Sequence, residues 1–213
     1  MKSDLRPVIR LLAAALLIAG CSNHIIQRAA DDFLPLEPGN WWRYHSASSY
    51  EPQTVYREVE PAETLLNVEC FPVTTSGIPA YYAIGDAGIR EYIKIVYAFT
   101  GTEYTVLEGF VLRLETPLVA GNRFADSLID SISVAGAWIK ARYMVNGLVS
   151  DYESHDIYGS TYPVHLSIQE TVIAPDSTFT LDRSITEHYA PDIGLVQFEN
   201  EQGTFHLSDY FVQ

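Results

Sequence analysis

The chain has 213 residues, of which 47% are hydrophobic and 12% aromatic, so it carries enough apolar side chains to build a core and is not a disordered protein. Its formal net charge of −14 argues against nucleic acid as a partner, because a phosphate-binding surface needs clustered Lys and Arg. The three lysines, Lys2, Lys94 and Lys140, are too few for a polybasic membrane-binding surface.

The first twenty residues have the features of a secretory signal peptide. Lys2, Arg6 and Arg10 precede the apolar run 11–20. As a helix this run would be about 15 Å long, half the hydrocarbon thickness of a bilayer. We therefore predict that residues 1–20 are removed rather than retained as a membrane span. The remaining chain has a net charge of −16, so we expect its domain to stand off an anionic leaflet.

The signal peptide ends in a motif for lipid attachment. Residues 18–21 (Ile-Ala-Gly-Cys) resemble the lipobox of bacterial lipoproteins, in which the bond before the cysteine is cut and its thiol is linked to diacylglycerol. The resemblance implies that Cys21 carries the lipid, with a fatty acid such as palmitate on the new amino group. Several acyl chains would hold the protein stably on a membrane. By analogy with lipoprotein sorting, Ser22 favours the outer membrane, facing the periplasm or the exterior, over the inner membrane.

Residues 21–36 are predicted to be the lipidated cysteine and a tether, and residues 37–213 a single domain. Trp41 and Trp42 follow a turn at 38–40 and should point to opposite faces of the first strand.

Cys70 is predicted to be a buried thiol on the face that Leu66 and Val68 share, and it has no disulfide partner if Cys21 is a thioether.

Alternating apolar residues predict further strands along the rest of the chain. Glu91 interrupts the apolar face of the first of them, and the run 110–112 is apolar on both faces. The predicted inward-facing residues are Ile89, Ile93, Ile95, Tyr97 and Phe99 in the first run, Ile139, Ala141, Tyr143 and Val145 in the second, Val164, Leu166, Ile168 and Val172 in the third, and Phe205, Leu207 and Phe211 in the last.

Turn residues separate these runs, at 85–88, 101–102, 121–122, 146–147, 176–177 and 202–203. Asn146-Gly147 is the strongest hairpin signal among them, because a type I′ turn requires positive φ at both positions. No amphipathic helix pattern follows the signal peptide. We therefore predict an all-β domain with a single antiparallel, strongly curved sheet, which forms a half-barrel, a barrel or a sandwich.

Three segments resemble a family of uncharacterised bacterial envelope lipoproteins. Residues 33–44 match its Pro-Leu-x-x-Gly-Asn-x-Trp-x-Tyr motif and residues 187–199 its Tyr-Ala-Pro-x-x-Gly-Leu-Val motif. Residues 171–179 resemble a third motif, with Ser177 where the family has Gly. The resemblance implies a curved all-β fold and no particular activity.

Motifs for catalysis, phosphate binding or zinc binding are not found, and we predict no catalytic residue, cofactor or metal site. Asp151, Glu153 and His155 would share one face of a strand, which could serve a hard metal or acid–base chemistry. A solvated face in an acidic protein accounts for them more simply.

Three functions are compatible with these features. The first is a non-catalytic structural or protein-interaction domain, anchored to the membrane by lipid and working with other envelope proteins. The second is a binding module or carrier for a lipid or another hydrophobic ligand in the curved sheet. An enzyme is a distant third. The oligomeric state does not follow from the sequence.

Overall fold

A computed structural model describes residues 33–46 and 53–213. The signal peptide, Cys21 and most of the predicted tether lie outside the described residues. The described chain folds into fourteen β-strands: β1 (Trp41–Ser46), β2 (Thr54–Val59), β3 (Glu63–Leu65), β4 (Val68–Thr75), β5 (Ile78–Gly85), β6 (Gly88–Phe99), β7 (Thr102–Glu115), β8 (Arg123–Val134), β9 (Ala137–Val149), β10 (Glu153–His155), β11 (Gly159–Ala174), β12 (Ser177–Ala190), β13 (Gly194–Asn200) and β14 (Gly203–Phe211).

The strands form one antiparallel sheet in the order β7-β6-β5-β4-β2-β1-β14-β13-β12-β11-β9-β8, with β3 beside β4 and β10 beside β11. The two ends of this order, β7 and β8, lie next to each other. The Leu112 N–H on β7 donates to Asp126 Oδ2 on β8 at 2.8 Å. Leu128 packs against Gly109, where a Cβ would lie only 3.2 Å from the leucine Cδ2. The sheet is therefore strongly curved and nearly closed, which confirms the predicted fold class.

The concave face holds the main core, and alternation places most of the predicted residues there. Ile139, Ala141, Tyr143 and Val145 of β9 are all buried, as are Val164, Leu166 and Ile168 of β11. Phe33 and Leu36 also pack into this core, ahead of the predicted domain start at residue 37. Within the described residues, no helix is long and apolar enough to cross a membrane.

The first two family-like segments pack against each other. Trp42 is buried while Trp41 is only half-buried, as the alternation predicts. The indole Nε1–H of Trp42 donates to the Ile193 carbonyl at 2.7 Å, and the Tyr44 hydroxyl donates to the Leu195 carbonyl at 2.8 Å. These residues therefore join the start of the domain to its penultimate hairpin, and their role is architectural.

The hairpin predicted at Asn146-Gly147 is wrong, because both residues lie inside β9. Gly147 pairs with Phe124 on β8 and Leu166 on β11. A Cβ on Gly147 would lie 2.0 Å from Phe124 Cζ. Glycine is needed at this position to give the phenyl ring room, and the position is not a turn.

Two further predictions about strand faces need correction. Leu66 and Asn67 have positive φ and form the turn between β3 and β4, so Leu66 and Cys70 do not share a strand. Phe211 is half exposed, since a register shift between β1 and β14 at Ser208 moves it off the face of Phe205.

Cys70 itself is a free, fully buried thiol, as predicted. It packs with Ala83 and Phe110 in a small cluster separate from the main core. Burial raises the pKa of this thiol, so it remains protonated and unreactive at neutral pH.

Thiol labelling tests this environment. A thiol reagent should label Cys70 slowly in the folded domain and rapidly in denaturant, and Cys70→Ala should cost about 1 kcal/mol of stability. Rapid labelling without denaturant would contradict the burial of this cluster.

Candidate functional site

The three residues that the sequence suggested for a metal or acid–base site, Asp151, Glu153 and His155, do not converge. Glu153 and His155 lie on the short strand β10, and Asp151 is exposed in the preceding loop. His155 stacks on Tyr158, while Glu153 approaches His188 Nδ1 at 3.7 Å. No group of three potential metal-ligating side chains occurs within the described part of the chain.

A buried ion-pair cluster instead crosses the concave face of the sheet. Arg113 on β7 donates from Nη2 to Glu187 Oε1 on β12 at 2.9 Å. Its Nε lies 3.1 Å from Glu91 Oε2 on β6. The side chains of Arg113 and Glu187 are only 9% and 6% exposed. The Tyr189 hydroxyl donates to Glu187 Oε2 at 2.8 Å, so both carboxylate oxygens of Glu187 are hydrogen-bonded.

A β-bulge at Arg113 adds Leu114 to the buried face that Arg113 shares with Val111. Ile89 pairs with Leu114 and Arg90 pairs with Leu112, so Arg113 is the extra residue on β7. Two successive residues, Arg113 and Leu114, are consequently buried where strict alternation would expose one of them.

An aromatic layer adjoins the cluster on the side of β1 and β2. The Arg57 guanidinium lies over the rings of Phe198 and Tyr44, 5.0 and 5.7 Å from their centroids. Between this layer and the ion pairs is a cavity of about 20 Å³, lined by residues that include Arg57, Tyr82 and Glu187. This part of the interior is therefore almost completely filled by side chains.

An open cleft of about 300 Å³ adjoins Arg113, which lines both the cleft and the small cavity. One wall is formed by residues 91–95 of β6, and β11 and β12 contribute Ile168, Glu170, Arg183 and Ile185. Five charged residues line it: Glu91, Lys94, Arg113, Glu170 and Arg183. We refer to this space as the arginine cleft.

Two guanidinium nitrogens at the arginine cleft lack protein partners. Arg113 Nη1 and Arg183 Nε are buried and have no hydrogen-bond acceptor among the described residues. A buried N–H without an acceptor costs about 1–3 kcal/mol. These two groups are therefore suited to bind an acceptor that enters the cleft.

Burial and charge set the protonation of the cluster. Burial lowers the pKa of Arg113, but Glu187 and Glu91 outweigh burial and hold that pKa above its ordinary value. Burial raises the pKa of Glu91, and Arg113 only partly opposes the change. Burial, with a contribution from Glu91, raises the pKa of Tyr143 to about 12, so its hydroxyl stays protonated at neutral pH.

The raised pKa of Glu91 predicts a pH dependence of stability. Folded Glu91 keeps its proton at pH values where the unfolded chain has lost it, so its contribution to the free energy of unfolding falls with rising pH. The window runs from the ordinary carboxyl pKa, about 4.3, up to the raised value. Glu91→Gln removes this contribution. The free energy of unfolding of the wild type minus that of the variant should therefore decrease as the pH rises through this window. Urea unfolding at a series of pH values measures this difference.

Glu103→Gln, at an exposed position on β7, is the control and should show no such trend. A difference that increases with pH would mean that the ion pair with Arg113 outweighs burial at Glu91.

Two other cavities have no buried, unpaired polar group among the described residues that line them. One of about 350 Å³ lies between the N-terminal segment and the C-terminus and is lined by residues that include Leu36 and Gln213. Another of about 250 Å³ lies between hairpin tips, next to Tyr97, Phe99 and Ile139. The arginine cleft is the better candidate site because it combines a cavity with converging charged side chains.

The sequence search missed the cleft although one signal was visible. Glu91 interrupts an otherwise apolar face of β6, and a charged residue on such a face needs an ionic partner. The partners, Arg113 and Glu187, are 22 and 96 positions further along the chain. Neither their pairing nor the bulge at Arg113 has a local sequence signature.

No protein-family model matches the chain, and no curated protein matches it. Among solved structures, a crystal structure of a protein described provisionally as a lipoprotein, from Parabacteroides distasonis, aligns with 14% identity and a TM-score of 0.37. The alignment covers 83% of this chain and 96% of the other. A TM-score this low supports no inference about function.

Proposed function

We propose that this chain is a lipoprotein of the bacterial cell envelope, attached to the membrane through Cys21, whose β domain binds other proteins without catalysis. The anchor rests on the sequence alone, where charged segment, apolar segment and lipobox occur at the required spacing. By analogy with lipoprotein sorting, Ser22 favours attachment to the outer membrane. The large, well-packed core supports a rigid domain, which the predicted tether connects to the anchor.

The filled interior is the observation that favours this function over a hydrophobic carrier. A carrier needs a dry cavity for its cargo. Here Trp42, Tyr44 and Phe205 fill the concave face, and the enclosed space near them is about 20 Å³. An acyl chain in the arginine cleft would also contact ionised side chains, which is unfavourable.

The carrier remains the second candidate, because one hollow has suitable walls. The space of about 250 Å³ between the hairpin tips is lined by Tyr97, Phe99, Val134 and Ile139. Phe99 is 40% exposed at its rim. A small apolar ligand could shield this surface.

Mass spectrometry tests the anchor. We expect the protein from the membrane fraction to have lost residues 1–20 and to have gained the mass of several acyl chains. Cys21→Ala should accumulate with its signal peptide intact, because the lipid-dependent cleavage cannot occur. A soluble, unacylated product cut at another position would rule out the proposed attachment.

Native mass spectrometry of the domain, produced from Ser22 onwards in a lipid-rich host, separates the two functions. The interaction module should carry no stoichiometric lipid. One retained fatty acid or phospholipid per chain, lost when Phe99 is replaced by a polar residue, would favour the carrier.

A further inference from the structure

Two strands that line the arginine cleft have a free edge at this position. β6 pairs with β5 only through residues 88–91, and β12 pairs with β13 only through residues 186–190. Within the described chain, residues 92–99 of β6 and 177–185 of β12 therefore pair on one side alone. Such edges present backbone N–H and C=O groups that can pair with an added strand.

The cleft also presents free guanidinium N–H groups to an anionic ligand. Arg113 and Arg183 line it together with Glu91 and Glu170, and Arg113 is paired with both Glu91 and Glu187. The unpartnered N–H groups on Arg113 and Arg183 can donate to a carboxylate, since a guanidinium binds a carboxylate with charge-assisted hydrogen bonds.

Apolar side chains lie beside these charges. Ile93 and Ile95 come from β6, while Ile168 and Ile185 come from β11 and β12 on the other side. The cleft could thus hold an aliphatic side chain and a carboxylate at the same time. A volume of about 300 Å³ is enough for the last one or two residues of a peptide, and it is at the lower end of the range for ligand pockets.

We propose that the arginine cleft binds the C-terminal end of an extended peptide from a partner protein. Arg183 and Arg113 hold the terminal carboxylate, the last side chain packs between the isoleucines, and the peptide backbone pairs with a free strand edge of β6 or β12. The proposal rests on the protein-interaction function and assigns it a site. A free fatty acid fits less well, because charged side chains line the cleft and only a peptide uses the free edges.

A peptide library provides the test. The full-length protein is solubilised in detergent, immobilised through an affinity tag and exposed to mixed hexapeptides that end in Leu, Ile or Val, prepared once as free acids and once as C-terminal amides. Mass spectrometry then identifies the retained peptides. We expect selective retention of free acids, and for the best of them an affinity at least tenfold higher than that of the matching amide.

Variants of two arginines assign the binding to the cleft. Arg183→Gln should weaken binding of the free-acid peptide at least tenfold. Arg183→Lys should recover part of the lost affinity, because it keeps the positive charge without the planar guanidinium. Arg142→Gln is the matched control, since Arg142 is exposed on the outer face of the same sheet. Unfolding temperatures of all variants show whether each is folded, and Arg183→Lys carries the comparison if Arg183→Gln does not fold.

Several results would overturn the proposal. These are equal retention of acids and amides, no retention of either form, or unchanged affinity in the Arg183 variants. Complete displacement of the bound peptides by equimolar octanoate would instead identify the cleft as a site for a free aliphatic carboxylate. None of these results depends on acylation at Cys21, so failure here is distinct from failure of the proposed anchor.

Discussion

Replacing Arg113 by Met is expected to lower the free energy of unfolding by about 3–5 kcal/mol at neutral pH, because it leaves buried carboxylates without their cation. Glu187 loses the Arg113 guanidinium contact, and Glu91 loses the nitrogen 3.1 Å away. The hydroxyl of Tyr189 remains bonded to Glu187, but a neutral donor cannot balance a charge whose side chain is only 6% exposed. Urea unfolding at pH 7 measures the loss.

The variant should recover stability as the pH falls, since protonation neutralises Glu91, whose pKa burial raises. Adding Glu91→Gln and Glu187→Gln to Arg113→Met should likewise recover at least half of the loss at pH 7. Arg142→Met, at an exposed position, is the control and should stay within about 0.5 kcal/mol of the wild type. A loss below 1 kcal/mol for Arg113→Met would show that the carboxylates are better solvated than the structure indicates.

The ion pairs fix the relation between two walls of the sheet. Arg113 and Glu91 belong to neighbouring strands, whereas Glu187 lies on β12, which is far from them in the strand order. Arg113 thus connects β7 to β12 directly across the interior. The same contacts shape the arginine cleft, so loss of Arg113 would disturb the site as well as the fold.

The repeating features of the fold could be predicted from the sequence. Alternation alone places Ile139, Tyr143 and Val164 on the concave face, because a half-buried strand exposes every second residue. Glycine-containing turns at 85–88 and 101–102 are confirmed, since positive φ is a local requirement that the residue type reveals. These predictions depend only on neighbours along the chain.

Features that depend on distant neighbours could not be predicted in this way. A bulge changes the face of every residue beyond it, and the bulge at Arg113 follows from pairing with β6. The arginine cleft depends on three such facts, namely the bulge, the ion pair with Glu187 and the early end of the pairing between β12 and β13. Asp151 and His155 were nominated because they are close in sequence, which is a poor guide to convergence in a sheet of this topology.

Gly147 illustrates the same limit, because its neighbour Asn146 makes it look like a turn residue. In the structure the Phe124 ring lies over its Cα, so its small size rather than its φ is what matters. Gly147→Ala should therefore destabilise the domain by about 1–3 kcal/mol, the usual cost of overpacking a core. Equilibrium urea unfolding of the variant measures this cost.

A second substitution distinguishes close packing from a turn. Phe124→Leu removes most of the ring that the new methyl group would meet, so Gly147→Ala should cost much less in that background. The double-mutant cycle should give a coupling of at least about 1 kcal/mol, as expected for residues in direct contact. If Asn146-Gly147 were a type I′ turn, alanine would be strained by positive φ whatever stands at position 124, and the two costs would simply add. Additive costs would thus mean that β8 and β9 do not pair as Phe124 with Gly147.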